Sequence, residues 1–142
     1  RKNENKILEG PQLRFLGRVA SRERLWLLYA RACMTVVPSL VPESFAMVAA
    51  EALAAGCPIV TSQIGCIPEL VQNVVNGHLV RAGDTFSLVS AIRLTIQENE
   101  HLRRNIARNR EHLVQRFDWD RTAARVADVL YSLAKTQRKV ET

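Results

Sequence analysis

No apolar run in this 142-residue chain reaches the roughly 18 residues that a membrane-crossing helix needs. The opening stretch RKNENKILEG carries no apolar h-region, so no secretory leader is read there. Cysteine is scarce: Cys33, Cys57 and Cys66 make an odd number without a C-x-x-C pair, which argues against a disulfide framework and a thiolate zinc site. Buried, reduced thiols are expected instead. His78, His101 and His112 show no metal-ligand spacing, and no metal or other cofactor is expected. Lysine is confined to Lys2, Lys6, Lys135 and Lys139, near the two ends. Aromatic residues make up 6% and nowhere alternate with basic ones along a strand or loop. The stacking platform of a single-strand binder is therefore missing, and no nucleic-acid partner is expected.

What remains has the composition of a folded domain, with 47% hydrophobic and 24% charged residues. The length allows one domain with a real core and not two large ones. A net charge of +6 points to an anionic partner. The positive residues gather in RLTIQENEHLRRNIARNREHLVQR (93–116), interleaved with apolar residues at helical spacing. Such a pattern is a solvated helix face. It is also compatible with peripheral association at an anionic membrane. A cytoplasmic location is the expectation, with attachment at the inner face of a membrane left open.

Short apolar segments alternate with helical ones along the chain. QLRFLG (12–17) has a strand composition and is followed by SRERLWLLYARA, which opens on a Ser21 cap. MTVVPS (34–39) reads as a second strand stopped by Pro38, CPIVTS (57–62) as a third and GHLVRAG (77–83) as a fourth. Between them PESFAMVAAE opens a helix that ends at Gly56, and QIGCIPELV enters a short helix around Pro68 and Glu69. Asp84 caps TFSLVSAIRLTIQEN, and two further helices run through EHLRRNIARNREHLVQRF and DRTAARVADVLYSLAKTQ. The fold class predicted is α/β, a Rossmann-like doubly wound parallel sheet flanked by helices. The charged start, RKNENK, reads as the tail of an earlier helix or loop, and preceding strands are expected to be missing or to belong to another chain.

Ligands of open parallel sheets bind at the carboxyl ends of the strands. The loops Gly17 to Ser21, Pro38 to Phe45, Thr61 to Pro68 and Arg81 to Asp84 are thus expected to face one cleft. In the second of these, a helix starting near Ser44 offers the backbone N–H groups of Phe45, Ala46, Met47 and Val48 to an anion, helped by the helix dipole. Two acids flank that opening. Were the segment wholly helical, Glu51 would lie about 12 Å from Glu43 along the axis. That exceeds the ~5 to 9.5 Å of paired glycosidase carboxylates. A ligand with hydroxyls at both ends and phosphate between them, such as a nucleotide-diphosphate sugar, uses the separation better.

PSLVPESFAMVAAEALAAGCPIVTSQIGCIPELVQNVVNGHLV (38–80) resembles the donor-binding half of the GT-B glycosyltransferases, and specifically the retaining family 4 with its Glu-x7-Glu motif, here Glu43 and Glu51. FLGRV upstream and FDWDRTAARVADVLYSL downstream resemble other parts of the same domain, so the likeness covers nearly the whole chain. The resemblance implies that residues 1–142 are a C-terminal nucleotide-sugar-binding domain lacking its first strands, with the N-terminal acceptor domain absent. It implies that Glu43 bonds hydroxyls of the donor sugar near the reacting carbon, as the catalytic acid of the pair. Glu51 would take the ribose hydroxyls, and Ser44, Phe45, Ala46, Met47 and Val48 would hold the diphosphate. Gly17, Arg18 and Val19 would lie along the base. The family transfers sugar with retention, without a bound metal, to a glycan or lipid-linked acceptor. Its phosphate-gripping Arg and Lys would lie upstream of residue 1. Ala46 stands where the family commonly has Gly, and Gly65-Cys66 where it has Gly-Gly.

Other readings remain open on the residues alone. One is a non-catalytic binding or assembly module on the same scaffold. A sugar-nucleotide epimerase would need further acids and a histidine that cannot be placed. A phosphorylase would need a pyridoxal-binding lysine, and the lysines sit only near the ends. Trp26 and Tyr29 read as core or interface, Trp119 and Phe117 as packing the last helix onto the domain, Glu69 as a helix-start acid, and Arg18 and Arg81 as rim charges.

Overall fold

The computed structural model describes residues 13–140, with side chains through 135. The RKNENK segment and Gln12, the first residue of the expected first strand, lie outside the described residues. A parallel sheet of three strands, in the order β1 (Thr35–Val37), β2 (Ile59–Ser62), β3 (Gly77–Val80), forms the centre. Val36 stands beside Val60 and Val60 beside His78 across the ladders. The helices are α1 (Arg22–Arg31), α2 (Met47–Ala54), α3 (Ile67–Leu70), α4 (Thr85–Gln97), α5 (Asn99–Arg116) and α6 (Trp119–Val140).

The middle strand is buried at all four positions and feeds two cores. Successive side chains of a strand point to opposite faces. Ile59 joins Ala49 and Leu53 of α2, Ile67 and Leu70 of α3, and Ile106 of α5. Val60 joins Val80 and Ala91, with Met34, Leu88 and Ile92 at the margin, under α4. Each fully buried Leu or Ile contributes about 1.5–3 kcal/mol, so both faces are held by side chains of β2. The doubly wound α/β class predicted from the alternation of segments is what is found. His78 is a core residue: its Nδ1 lies 2.9 Å from the Thr95 hydroxyl, and its Nε2 pairs with Glu98 at 3.5 Å.

The predicted caps form. Ser21 accepts from the Arg24 N–H, and Asp84 accepts from the N–H and hydroxyl of Ser87. Gly56 follows the end of α2 with φ +81°.

Four expectations need correction. Residues 13–17 are irregular rather than a strand. A strand needs a neighbour for its ladder, and among the described residues β1 pairs only with β2, leaving its other edge open. The helix after Pro42 starts at Met47, not near Ser44, because Ala46 adopts φ +39°, ψ 55°, a left-handed conformation that no α-helix continues through. The ~12 Å separation of the two acids, which assumed one continuous helix, therefore does not apply. Only Cys57 is buried among the thiols; Cys66 is half-buried and Cys33 exposed. Trp119 is 83% exposed rather than packed, and the apolar residues Val126, Val129 and Leu130 of α6 are exposed with it.

Candidate functional site

The site is built where the chain leaves β1. Thr35–Val37 ends before Pro38, and the next residues turn through Ser39 to Glu43 before reaching α2. Gly65, in the loop after β2, presses on this segment. Its φ is +57°, and a Cβ built there would lie 2.5 Å from the Glu43 carbonyl oxygen and 2.8 Å from the Glu43 nitrogen. Only glycine allows that approach. The next residue closes the contact, the Cys66 N–H donating to the Glu43 carbonyl at 3.2 Å. The loops after β1 and β2 are thereby one unit, as their common position at the strand carboxyl ends requires.

Each acid of the pair is held by a hydroxyl. Glu43 is half-buried, and its Oε1 accepts a short hydrogen bond from the Ser39 Oγ. Glu51, also half-buried, lies one turn into α2, and its Oε2 accepts from the Tyr29 hydroxyl of α1 at 3.3 Å. Burial, and then the charge of Glu51, raise the Tyr29 phenol above its ordinary value, so it remains a donor at neutral pH.

Between the acids lies the start of α2. Ala46, the residue before the helix, has no side chain to cap it. Ala49 and Ala50 donate to the Ala46 carbonyl. The N–H groups of Phe45, Ala46, Met47 and Val48 have no acceptor among the described residues. α1 and α4, in contrast, have capped starts. Uncapped amides at a helix start carry partial positive charge and point outward along the axis, which applies to Met47 and Val48; Phe45 and the buried, left-handed Ala46 precede the helix. Ser44, Phe45, Met47 and Val48 are exposed residues.

One long-range contact holds this turn, and another fixes the far ends of α1 and α2. The Phe45 ring meets Phe117, at the end of α5, edge to face with centroids 5.3 Å apart. Arg103 of α5 donates to the carbonyls of Ala32 and Gly56, the residues just past α1 and α2, and to Asn99 at 3.0 Å. A cation at two helix carboxyl ends is favourable, and here it clamps α1 against α2. The basic residues of α5 are expected to form a solvated face, and Arg103 departs from that because it is half-buried beside these carbonyls.

Gly17, Arg18 and Val19 precede α1 in an irregular stretch, and no hydrogen bond among the described residues ties them to 43–51. Glu69 pairs with Arg116 at 3.6 Å and has no place at the site. At the carboxyl ends of all three strands a cleft of about 150 Å³ is lined by Pro38, Leu40, Ser62, Arg81 and Asp84. Tyr29, Ser39, Phe117 and Arg103 support the site without having been assigned to it from sequence. Ser39 and Tyr29 had a weak signal, a hydroxyl near an acid only after folding. Among the described residues, no helix is long and apolar enough to cross a membrane.

Comparison with known proteins bears directly on this arrangement. The chain is 31% identical over 129 residues to the phosphatidyl-myo-inositol mannosyltransferase of Mycobacterium leprae (strain TN), covering 91% of this chain and 34% of that protein. It is 36% identical over 126 residues to the glycogen synthase of Mycobacterium tuberculosis (strain ATCC 25618 / H37Rv), covering 89% and 30%. The chain thus spans about a third of the length of these relatives. Among solved structures it is similar to Anabaena HepE in complex with UDP, at a TM-score of 0.73 and 30% identity, covering 83% of this chain and 32% of that one. The UDP-glucose complex of HepE gives a TM-score of 0.66 at 30% identity, covering 74% and 29%. Residues 2–112 match the family described as glycosyl transferases group 1, and the chain belongs to that family.

Proposed function

We propose that this chain is the C-terminal, nucleotide-sugar-binding domain of a retaining GT-B glycosyltransferase of family 4, and that the acceptor domain belongs to the rest of the protein. The observation that carries the reading is the uncapped turn into α2, four amides from Phe45 to Val48 with no acceptor among the described residues, set between two acids that are each held by a hydroxyl. The complexes of HepE with UDP and UDP-glucose support a donor of that class.

In this reading the diphosphate rests against the amides of Phe45 to Val48, with Ser44 beside it. Glu43 bonds the hydroxyls of the donor sugar and Glu51 those of the ribose, while Gly17, Arg18 and Val19 run along the base. When the bond between the anomeric carbon and the phosphate oxygen breaks, negative charge grows on the diphosphate. Fixed amide donors stabilise that charge more in the transition state than in the ground state. They do so in place of a resident metal. The acceptor hydroxyl attacks from the face the diphosphate leaves and passes its proton to the departing phosphate oxygen, which retains the anomeric configuration. The acceptor is a glycan or lipid-linked hydroxyl. The name of the Mycobacterium leprae relative supports a lipid, and the exposed Arg104, Arg108 and Arg110 of α5 offer a surface to anionic headgroups at the cytoplasmic side of a membrane. This chain alone binds donor and transfers nothing.

Calorimetry with UDP, ADP and GDP against inorganic pyrophosphate tests the reading, together with amide hydrogen exchange. The best-bound nucleotide should protect amides 44–48. Glu51→Ala should weaken it about tenfold or more, the scale of hydrogen bonds to a charged group, and leave pyrophosphate unchanged. Equal losses for the two ligands, or protection elsewhere only, would overturn it.

A further inference from the structure

We propose that Tyr29 is a positioning residue that aims Glu51 at the nucleotide, a role that rests on the ribose-binding reading of Glu51. Three observations converge on it. Tyr29 and Glu51 are 22 positions apart on different helices, and their hydroxyl and carboxylate meet at 3.3 Å. Only Glu51 Oε2 is engaged; Oε1 has no partner among the described residues and is free to accept from a ligand hydroxyl. The helix bearing Tyr29 is itself fixed, because Arg103 binds the carbonyls that follow both α1 and α2.

The division of labour is physical. A glutamate on an eight-residue helix has three rotatable side-chain bonds and, half-exposed, samples several rotamers. Ordering it on binding costs affinity. A tyrosine has only two such bonds, and it stands on a helix that Arg103 ties to the end of α2, so its hydroxyl restricts the carboxylate before any ligand arrives. At 3.3 Å the bond is long for O–H···O, and bonds of this kind commonly tighten in the liganded state. α1 has no buried residue, and Trp26, Leu27 and Leu28 are exposed, so Tyr29 is the link through which this helix serves the site.

The test compares the unsubstituted chain, Tyr29→Phe, Glu51→Gln and the double variant by calorimetry. The ligands are the best-bound of UDP, ADP and GDP, its 2′,3′-dideoxy analogue, and inorganic pyrophosphate. Removing the hydroxyl should weaken the nucleotide about fivefold, somewhat less than a direct hydrogen bond to charge. It should leave pyrophosphate and the dideoxy analogue unchanged. In the Glu51→Gln background Tyr29→Phe should add no further loss, since residues acting through one another are non-additive. A merely structural tyrosine would weaken all three ligands alike, and that result overturns the proposal. So does an unchanged nucleotide affinity in Tyr29→Phe while Glu51→Gln weakens the nucleotide selectively; the ribose reading then stands without Tyr29. If Glu51→Gln itself shows no selectivity for the nucleotide, the ribose reading falls and this role with it. Should Tyr29→Phe fail to fold, Tyr29→Met, which also lacks the hydroxyl, carries the same comparison.

Discussion

Gly65→Ala probes how Glu43 is placed. Gly56 and Gly65 both have positive φ and differ in what surrounds them. Gly56, at +81°, has nothing within 4 Å of a built Cβ, whereas Gly65, at +57°, would put its Cβ 2.5 Å from the carbonyl oxygen and 2.8 Å from the nitrogen of Glu43. Alanine in the left-handed region costs about 1–2 kcal/mol wherever it occurs. Gly56→Ala should therefore lose about that much and no more. At Gly65 the neighbour is backbone, which cannot rotate away as a side chain can. The loop after β2 must move off Glu43, with a further cost of about 1–3 kcal/mol, the scale of overpacking. Breaking the Cys66 to Glu43 hydrogen bond adds up to about 1 kcal/mol. Gly65→Ala should thus destabilise by about 2–6 kcal/mol in urea unfolding, at least ~1 kcal/mol beyond Gly56→Ala. It should also reduce the extra affinity that a nucleotide sugar has over its nucleoside diphosphate, because Glu43 is the acid proposed to meet the sugar. If the two alanine variants lose equal stability, the close approach of Gly65 to Glu43 is wrong.

Two further predictions use the same equilibrium unfolding. Ala46→Gly relieves a left-handed alanine, worth about 1 kcal/mol or more, and loses a buried methyl, worth about 0.8 kcal/mol, so it should be nearly neutral. Ala52→Gly, buried within α2 with ordinary dihedrals, loses both helix propensity and the methyl and should cost about 2 kcal/mol; a similar loss at position 46 would show that Ala46 is not left-handed. Hydrogen bonds from Ser87 hold the Asp84 carboxyl below its ordinary value of 3.8. Its folded value is the lower one, so the stability it contributes is complete above 3.8 and is lost as pH falls through the folded value. Urea midpoints measured down through that acid window should fall more for the parent than for Asp84→Asn, and parallel curves would refute the cap.

Much of this protein was legible in its order of residues. Apolar runs of strand length, broken by Pro38 and Gly56, located the three strands found among the described residues and the end of α2, because those signals act through the backbone of a few adjacent residues. Ser21 and Asp84 marked helix starts for the same local reason, and the Glu-x7-Glu spacing is the signal on which the proposed site rests. Folding alone decided what depends on distant partners. Residues 13–17 have a strand composition yet no neighbour to pair with among the described residues, since β1 bonds only to β2. The start of α2 was displaced to Met47 by a left-handed Ala46, in a turn that Phe117 anchors from more than 70 positions away. The hydroxyl beside Glu51 comes from a helix 22 positions earlier, and Arg103 joins two helix ends that no local pattern connects. Local propensities are written in neighbouring side chains, but hydrogen bonds and ring contacts between distant segments exist only once the two cores have brought those segments together.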